Sequence, residues 1–172
     1  LRPLSLGRIG DNGIVVASET CAFDVIGAEY IRDVKPGEVI RIDLEGITSE
    51  RYATTCDQSM CSMEYVYFAR PDSDVEGINV HQARKNCGRI LAQEAPIEAD
   101  IVVGVPDSGL SAAIGYAEEA NIPFEIGMVK NKYIGRTFIQ PSQALREQGV
   151  KMKLSAVRSI VKDKRVVLID DS

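Results

Sequence analysis

The hydrophobic positions of the chain follow two patterns, one in the first fifty residues and another in the second half. Apolar and polar residues alternate through residues 1–52, which is typical of antiparallel strands. Asp11-Asn12-Gly13 is a hairpin-turn signal, and Gly27 is expected to end a short helix over Cys21–Ile26. The predicted strands are Pro3–Gly7, Ile14–Ala17, Tyr30–Arg32, Glu38–Ile42 and Gly46–Tyr52. This part of the chain is therefore predicted to be β-rich, and it shows no nucleophile.

Residues 53–99 contain three segments with different sequence patterns. Ala53–Met60 is polar and irregular, which indicates a linker. Glu64–Ala69 is rich in aromatic residues and is predicted to be a strand. Val80–Glu94 has apolar residues at helical spacing and is predicted to be a helix. His81 lies at the start of that helix, and the neighbouring sequence pattern does not indicate a catalytic histidine, so we assign it no role.

The second half alternates short apolar strands with a helix. Asp100–Val105 is predicted to be a strand, Leu110–Ala120 a helix and Phe124–Val129 a further strand. This βαβ order predicts a parallel sheet and an α/β fold. The loop Pro106–Ser111 brings small residues to a helix N-terminus, where phosphate groups bind readily. Because the loop matches neither common nucleotide-binding glycine motif, it is a weak signal by itself.

A second buried strand leads into two carboxylates. Val166–Ile169 is an apolar run, predicted to be buried on both faces, and Asp170, Asp171 and Ser172 follow it directly. In open α/β sheets ligands bind just beyond the carboxyl ends of the strands. The alternative is an acidic pair that starts a turn or caps a helix, and these residues alone leave both interpretations open.

Positive charge is concentrated in the residues before that strand. Met128–Arg165 contains ten Lys or Arg against two acidic residues, which makes it +8 and leaves −13 for the rest of a chain whose net charge is −5. Lys130–Leu154 has no clear element, so it is either a cationic lid over a polyanionic ligand or a disordered loop. The acidic remainder argues against a broad nucleic-acid footprint.

Composition narrows the class of protein further. The 172 residues are 45% hydrophobic and 26% charged, as in an ordinary globular protein. No apolar run has the length of a membrane helix, and no signal peptide opens the chain. Because Leu1 is not an initiator Met and Ser172 ends on a strand, we expect an internal fragment. The four cysteines, which do not follow the common zinc spacings, are Cys21, Cys56, Cys61 and Cys87.

Several of these segments together resemble the glutamine phosphoribosylpyrophosphate amidotransferase family. They are Leu1–Leu4, Cys61–Asp72, Val105–Gly109, Lys130–Gln143 (KNKYIGRTFIQPSQ) and Val166–Ser172. The resemblance implies the end of an N-terminal-nucleophile glutaminase domain over residues 1–52. It implies the start of a type I phosphoribosyltransferase domain, a parallel sheet with flanking helices, over residues 53–172. That family uses glutamine-derived ammonia to convert phosphoribosyl pyrophosphate into 5-phosphoribosylamine, glutamate and pyrophosphate, the first committed step of purine synthesis.

The resemblance also implies roles for individual residues. Asp170 and Asp171 match the acidic pair of the family's phosphoribosyl-binding motif, and with Ser108 they are expected to serve a Mg²⁺ ion. Allosteric purine nucleotides are expected to contact Lys130 and Ser111. The residues expected to contact phosphoribosyl pyrophosphate are Pro106, Asp107, Ser108, Tyr133, Arg136, Thr137, Lys153, Asp170 and Asp171.

Cys61 matches a cluster ligand of the cluster-bearing branch of the family, so it is expected to bind a [4Fe–4S] cluster. The other three ligands are expected beyond Ser172, which leaves Cys21, Cys56 and Cys87 as free thiols. The glutaminase nucleophile is expected upstream of Leu1 and the 5′-phosphate turn downstream of Ser172. We therefore expect the fragment alone to catalyse neither half-reaction.

Two alternatives to this enzyme are a regulator that binds phosphoribosyl pyrophosphate without turnover and a phosphoribosyltransferase that salvages a base. The β-rich first part argues against the former, and Lys130–Gln143 in place of a base-recognition hood argues against the latter. The resemblance further implies a cytoplasmic homo-oligomer, a tetramer in the family. Glutamine, ammonia, phosphoribosyl pyrophosphate and inhibitory purine nucleotides would be its partners, without nucleic acid or membrane.

Overall fold

The computed structural model of the chain describes residues 3–53, 55–133 and 143–171. The chain divides into two compact units, Leu1–His81 and Gln82–Ser172. Within the described residues, no helix is both long enough and apolar enough to cross a membrane.

A three-stranded antiparallel sheet organises the start of the first unit. Its strands are β1 (Ser5–Ile9), β2 (Gly13–Ala17) and β3 (Glu29–Asp33), in the order β2-β1-β3. Helix α1 (Cys21–Ile26) follows β2 and buries Phe23, which is 1% exposed. Gly27 ends the helix with a left-handed φ of 67°, which confirms the predicted C-cap.

The next two strands, both predicted from the sequence, form a separate hairpin. Strand β4 (Glu38–Asp43) pairs with β5 (Gly46–Arg51) in an antiparallel register that sets Glu38 opposite Arg51. Because side chains alternate between the faces of a strand, Glu38 and Arg51 share one face with Ser49. Arg41 and Glu50 belong to the opposite face.

The prediction of a strand over Glu64–Ala69 was wrong. Glu64–Phe68 is a short π-helix, in which the Ala69 amide donates to the Glu64 carbonyl oxygen. The Tyr65 hydroxyl donates to the Val75 carbonyl oxygen at 2.7 Å, within a small core formed by Ala69, Val75 and Val80. Tyr65 therefore packs against this core, whereas Tyr67 and Phe68 are about half exposed. No neighbouring strand pairs with this segment among the described residues.

Side chains at the start of α1 hold the end of this unit together. The Glu19 carboxylate accepts hydrogen bonds from the Arg70 amide at 2.8 Å and from the buried Ser73 hydroxyl at 3.0 Å. The Thr20 hydroxyl oxygen accepts from the Asp74 amide at 2.7 Å. A short hairpin of β6 (Asp74–Val75) and β7 (Ile78–Asn79) follows. These bonds explain why residues 70–79 are compact with the β-rich strands.

The second unit is built around parallel strands covered by helices. Helix α2 (Val80–Glu94) begins at the end of the first unit, and strand β8 (Ile101–Gly104) is followed by helix α3 (Leu110–Ala120), all close to their predicted bounds. The Tyr116 hydroxyl donates to the Ala95 carbonyl oxygen at 2.8 Å from within the core. This arrangement confirms the α/β class.

The predicted strand over Phe124–Val129 is present only at its end. Phe124 makes a single parallel bridge with Val102, after which the Gly127 amide donates back to the Glu125 carbonyl oxygen and the chain turns away from the sheet. Strand β9 (Met128–Lys130) then pairs antiparallel with β10 (Leu154–Ala156). Helix α4 (Gln143–Lys153) precedes β10, so Lys130–Leu154 contains elements that the sequence pattern did not predict.

Helix α5 (Arg158–Val161) leads into the last strand, β11 (Val166–Ile169), which was predicted to be buried on both faces. Only one face is buried: Val167 and Ile169 are 7% and 5% exposed and belong to the core that includes Tyr116 of α3. Leu168 is 53% exposed because the other face of β11 has no comparable cover within the described residues. The strand itself was predicted correctly, and its burial was not.

Candidate functional site

The site begins where two parallel strands end side by side. Strands β8 and β11 are in parallel register from Val166 opposite Ile101 to Ile169 opposite Gly104. The Val105 amide extends this ladder by donating to the Ile169 carbonyl oxygen at 2.8 Å. The two strands are separated by more than sixty residues in the chain. The Pro106–Ser108 loop follows β8 and the Asp170-Asp171 pair follows β11, so both lie at the same edge of the sheet.

The loop after β8 fits against β11 because residue 109 has no side chain. A Cβ atom added to Gly109 would lie 2.4 Å from the Ile169 carbonyl oxygen. The Gly109 amide donates to the Val105 carbonyl oxygen at 3.0 Å, and α3 begins at the next residue. Ser108 is half-buried, and the peptide bond between Pro106 and Asp107 is cis. Helix α3 thus directs its N-terminal amides towards the sheet edge, where they attract anions.

The two carboxylates after β11 are not equivalent. The Asp171 amide donates to the Asp170 Oδ1 at 2.9 Å. The Asp171 Oδ2 is buried and has no hydrogen-bond partner within the described residues. Burial raises the pKa of Asp170, and the Asp171 side chain adds to that rise while the Asp171 amide opposes it. A buried carboxylate oxygen without a donor is costly, and a cation would compensate it.

Lys130, at the end of strand β9, contacts the same loop. The Lys130 Nζ lies 2.8 Å from the Asp107 Oδ2. The Asn131 amide donates to the Lys153 carbonyl oxygen at 2.7 Å, which holds the backbone of Lys153 beside β9. Tyr133 follows with a side chain that is fully exposed. Lys130 is thus joined to the candidate phosphate loop by a direct ion pair.

The remaining predicted residues lie in different places. Ser111 is 6% exposed in the first turn of α3. Arg136 and Thr137 lie outside the described residues. Cys61 is an exposed thiol in the first unit, and neither it nor Cys21, Cys56 or Cys87 forms a disulfide in the described part of the chain. The structure brings together Pro106, Asp107, Ser108, Lys130, Asp170 and Asp171.

Sequence reasoning overlooked two features of this site. The first is Gly109, which permits the close approach of the loop to β11. A glycine directly before a helix and after a buried strand was the available signal. The second is the ion pair between Lys130 and Asp107, which joins residues 23 positions apart and has no local signal.

The oxygen ligands at the strand ends fit a hard cation. Mg²⁺ in proteins commonly takes one or two carboxylates and completes its shell with water and substrate phosphates. The described residues contain no cluster of three or more His, Cys, Asp or Glu able to hold a metal ion by themselves. The Asp171 Oδ2, which has no hydrogen-bond partner among the described residues and lies beside Asp170, suits that shared coordination.

A [4Fe–4S] cluster has a different requirement, because it takes four thiolates. Cys61 provides one exposed thiol, and no partner set accompanies it within the described part of the chain. The described residues therefore do not form a cluster site by themselves.

Comparison with known proteins gives the family. The model of the phosphoribosyl transferase domain matches residues 78–172. The amidophosphoribosyltransferase of Bacillus subtilis strain 168 is 66% identical over the whole chain, which spans 36% of that relative's length. Amidophosphoribosyltransferase of Staphylococcus aureus strain MRSA252 is 55% identical over the whole chain, which spans 35% of its length.

A solved structure agrees with these relatives. Glutamine phosphoribosylpyrophosphate amidotransferase from B. subtilis, complexed with ADP and GMP, superimposes with a TM-score of 0.90 at 66% identity. The match covers 100% of this chain and 38% of that one. The family resemblance in the sequence is thereby confirmed, and the homologues are amidophosphoribosyltransferases. The chain belongs to the phosphoribosyl transferase domain family.

Proposed function

We propose that the chain carries the phosphoribosyl pyrophosphate site of an amidophosphoribosyltransferase. In the whole enzyme, ammonia released from glutamine would attack C1 of phosphoribosyl pyrophosphate and yield 5-phosphoribosylamine, glutamate and pyrophosphate. This would be the first committed step of purine synthesis. The proposal rests on one observation. The Pro106–Ser108 loop and the Asp170-Asp171 pair follow the adjacent carboxyl ends of β8 and β11 and so lie at one sheet edge.

The two sides of this edge suit the two halves of the substrate. The loop and the N-terminal amides of α3 would bind the pyrophosphate group, with the Ser108 hydroxyl as a further contact. The Asp170 and Asp171 carboxylates would accept hydrogen bonds from the ribose hydroxyls. Fixed donors around the departing pyrophosphate stabilise the charge that develops as the C1–O bond breaks.

A divalent cation fits between these groups. Ser108, Asp170 and Asp171 would hold Mg²⁺, which would neutralise pyrophosphate charge when bound. Asp171 is the strongest candidate ligand because one of its oxygens is buried and receives no hydrogen bond from the described residues. Lys130, now paired with Asp107, would exchange that carboxylate for a phosphate oxygen or for an inhibitory purine nucleotide, which Ser111 would also contact.

The remaining assignments rest on the resemblance. Arg136, Thr137 and Lys153 would contact phosphates, and Tyr133 would line the ammonia path. Residues 1–52 would be the C-terminal part of a glutaminase domain, and residues 53–172 would belong to the transferase domain. The structure of a relative complexed with ADP and GMP supports regulation by purine nucleotides. The proposal further includes a cytoplasmic homo-oligomer.

An acid-to-amide substitution in the full-length enzyme tests the site. Asp171→Asn should lower Mg²⁺-dependent, ammonia-supported pyrophosphate release by about 10²-fold, because it removes a charged contact to the cation and ribose. Asp163→Asn is the matched control, since Asp163 is exposed and has a φ of 60°, which asparagine tolerates. Full activity of Asp171→Asn, or an equal loss in the control, would refute the assignment. Pyrophosphate release by residues 1–172 alone would overturn the expectation that this part is inactive.

The cluster assignment has a separate test. Iron and sulfide content of the full-length protein should fall when Cys61 is replaced by serine, because serine does not replace a thiolate ligand. Cys87→Ser is the control, since Cys87 is also an exposed free thiol. Unchanged cluster content in Cys61→Ser would remove Cys61 from the ligand set.

A further inference from the structure

A cavity lies in the first unit, beside the β4–β5 hairpin. It has a volume of about 350 Å³ and is lined by Arg32, Lys35, Glu38, Ser49 and Arg51. Three of these five residues are cations and one is an acid. None of them takes part in the strand-end site proposed above.

The acid of this cavity is already fully engaged. Glu38 receives a bidentate contact from Arg32, with Nη2 at 2.6 Å from Oε1 and Nη1 at 2.9 Å from Oε2. The Lys35 amide donates to Oε2 at 2.7 Å, and the Ser49 hydroxyl donates to Oε1. The Arg32 contact, followed by those of Ser49 and Lys35, lowers the pKa of Glu38 to about 2. Glu38 and Arg32 therefore form a neutral pair that stays ionised at physiological pH.

The other two cations have no such compensation. Lys35 and Arg51 are exposed, and neither forms a salt bridge with an acid in the described parts of the chain. Arg51 lies directly opposite Glu38 in the strand register, yet Arg32 occupies both carboxylate oxygens. The cavity thus has a net charge of +2 and a wall held in place by the Arg32–Glu38 pair.

We propose that this cavity binds a phosphate group, either as inorganic phosphate or as the monoester of a small metabolite. Lys35 and Arg51 would supply the two positive charges that a phosphate dianion requires, and the arginine fork would contact two of its oxygens. The charge of Arg32 is already balanced by Glu38, so Arg32 does not need a bound anion as a partner. The volume exceeds that of phosphate alone, which leaves room for an attached sugar.

Amide resonances of the whole chain test the proposal. Inorganic phosphate would be titrated against chloride at constant ionic strength and pH, with ribose 5-phosphate and unphosphorylated ribose in parallel. Saturable shifts are expected at residues 35–38 and 49–51, with a Kd of about 1 mM or tighter. Tighter binding of ribose 5-phosphate would identify the monoester as the ligand, and equal binding would identify free phosphate. Shifts with ribose alone, or shifts that grow linearly without saturation, would overturn the proposal.

Charge variants distinguish phosphate binding in this cavity from non-specific electrostatic attraction to the hairpin. The double variant Lys35→Gln/Arg51→Gln should weaken phosphate binding by at least about tenfold, because it removes two charge-assisted contacts. Arg41→Gln removes one charge from the opposite face of the same hairpin and should change the affinity by less than about twofold. Equal losses in both variants would refute the cavity. Phosphate at the strand-end site would shift amides 107–110 instead, and those shifts should be unaffected by the double variant.

Discussion

Replacing Glu38 by glutamine should loosen the β4–β5 hairpin while leaving the second unit intact. Glutamine keeps the shape of the side chain and removes the charge that Arg32, Ser49 and the Lys35 amide all engage. The Glu38 side chain is 6% exposed, so water replaces those contacts poorly. Arg32 would then lose its bidentate partner as well.

The magnitude follows from the pKa of Glu38, which the Arg32 contact and the two other donors lower from 4.5 to about 2. A change of that size corresponds to about 3 kcal/mol of preference for the ionised form in the folded state. Because the Arg32 side chain is 36% exposed, solvent screening reduces the expected contribution. We expect Glu38→Gln to lower the free energy of unfolding of the hairpin by about 1–2 kcal/mol at neutral pH.

The pH dependence has a definite sign. A carboxylate whose pKa is depressed by folding stabilises the fold above its unfolded pKa, and that stabilisation is lost as the pH falls through the folded pKa. The difference between wild type and Glu38→Gln should therefore be complete above about pH 5 and largely lost by about pH 2.

Urea unfolding, followed through the hairpin amide resonances at several pH values, measures this difference. Glu50→Gln is the matched control, because Glu50 is exposed on the opposite face of the same hairpin. Its effect should stay below about 0.5 kcal/mol. A stability difference for Glu38→Gln that persists unchanged in acid would refute the electrostatic explanation, as would an equal effect of Glu50→Gln.

Two glycine substitutions test the close approaches in the second unit. A Cβ at Gly115 would lie 1.9 Å from the Lys85 carbonyl oxygen, so Gly115→Ala should lower the free energy of unfolding by about 1–3 kcal/mol despite its better helix propensity. Urea unfolding measured at second-unit resonances would contradict this if stability rose. Gly109→Ala would displace the loop from Ile169, so under the proposed function the affinity of the whole enzyme for phosphoribosyl pyrophosphate with Mg²⁺ should fall by about 10²-fold. Calorimetry that found unchanged affinity would show that this loop does not hold the pyrophosphate.

The local pattern of residues determined most elements of this protein. The turn at Asp11-Asn12-Gly13, the cap at Gly27, helix α3 and strands β8 and β11 all lie close to their predicted bounds. Each has a signal within a few residues, because apolar period, turn chemistry and caps are local properties. The specific run KNKYIGRTFIQPSQ and the strand-end acids were also sufficient to indicate the family, which the comparisons confirm.

The tertiary structure determined which distant segments of the chain are in contact. Two features depend on distant segments meeting. They are the pairing of β8 with β11 across some sixty residues and the contact between Lys130 and Asp107. The π-helix at Glu64–Phe68 likewise reflects packing beneath Val75, since its sequence equally suits a strand. Periodicity specifies which face of an element is apolar, but the partner of that face is set by the whole chain. The acidic pair reaches the same sheet edge as the Pro106–Ser108 loop because β11 lies beside β8.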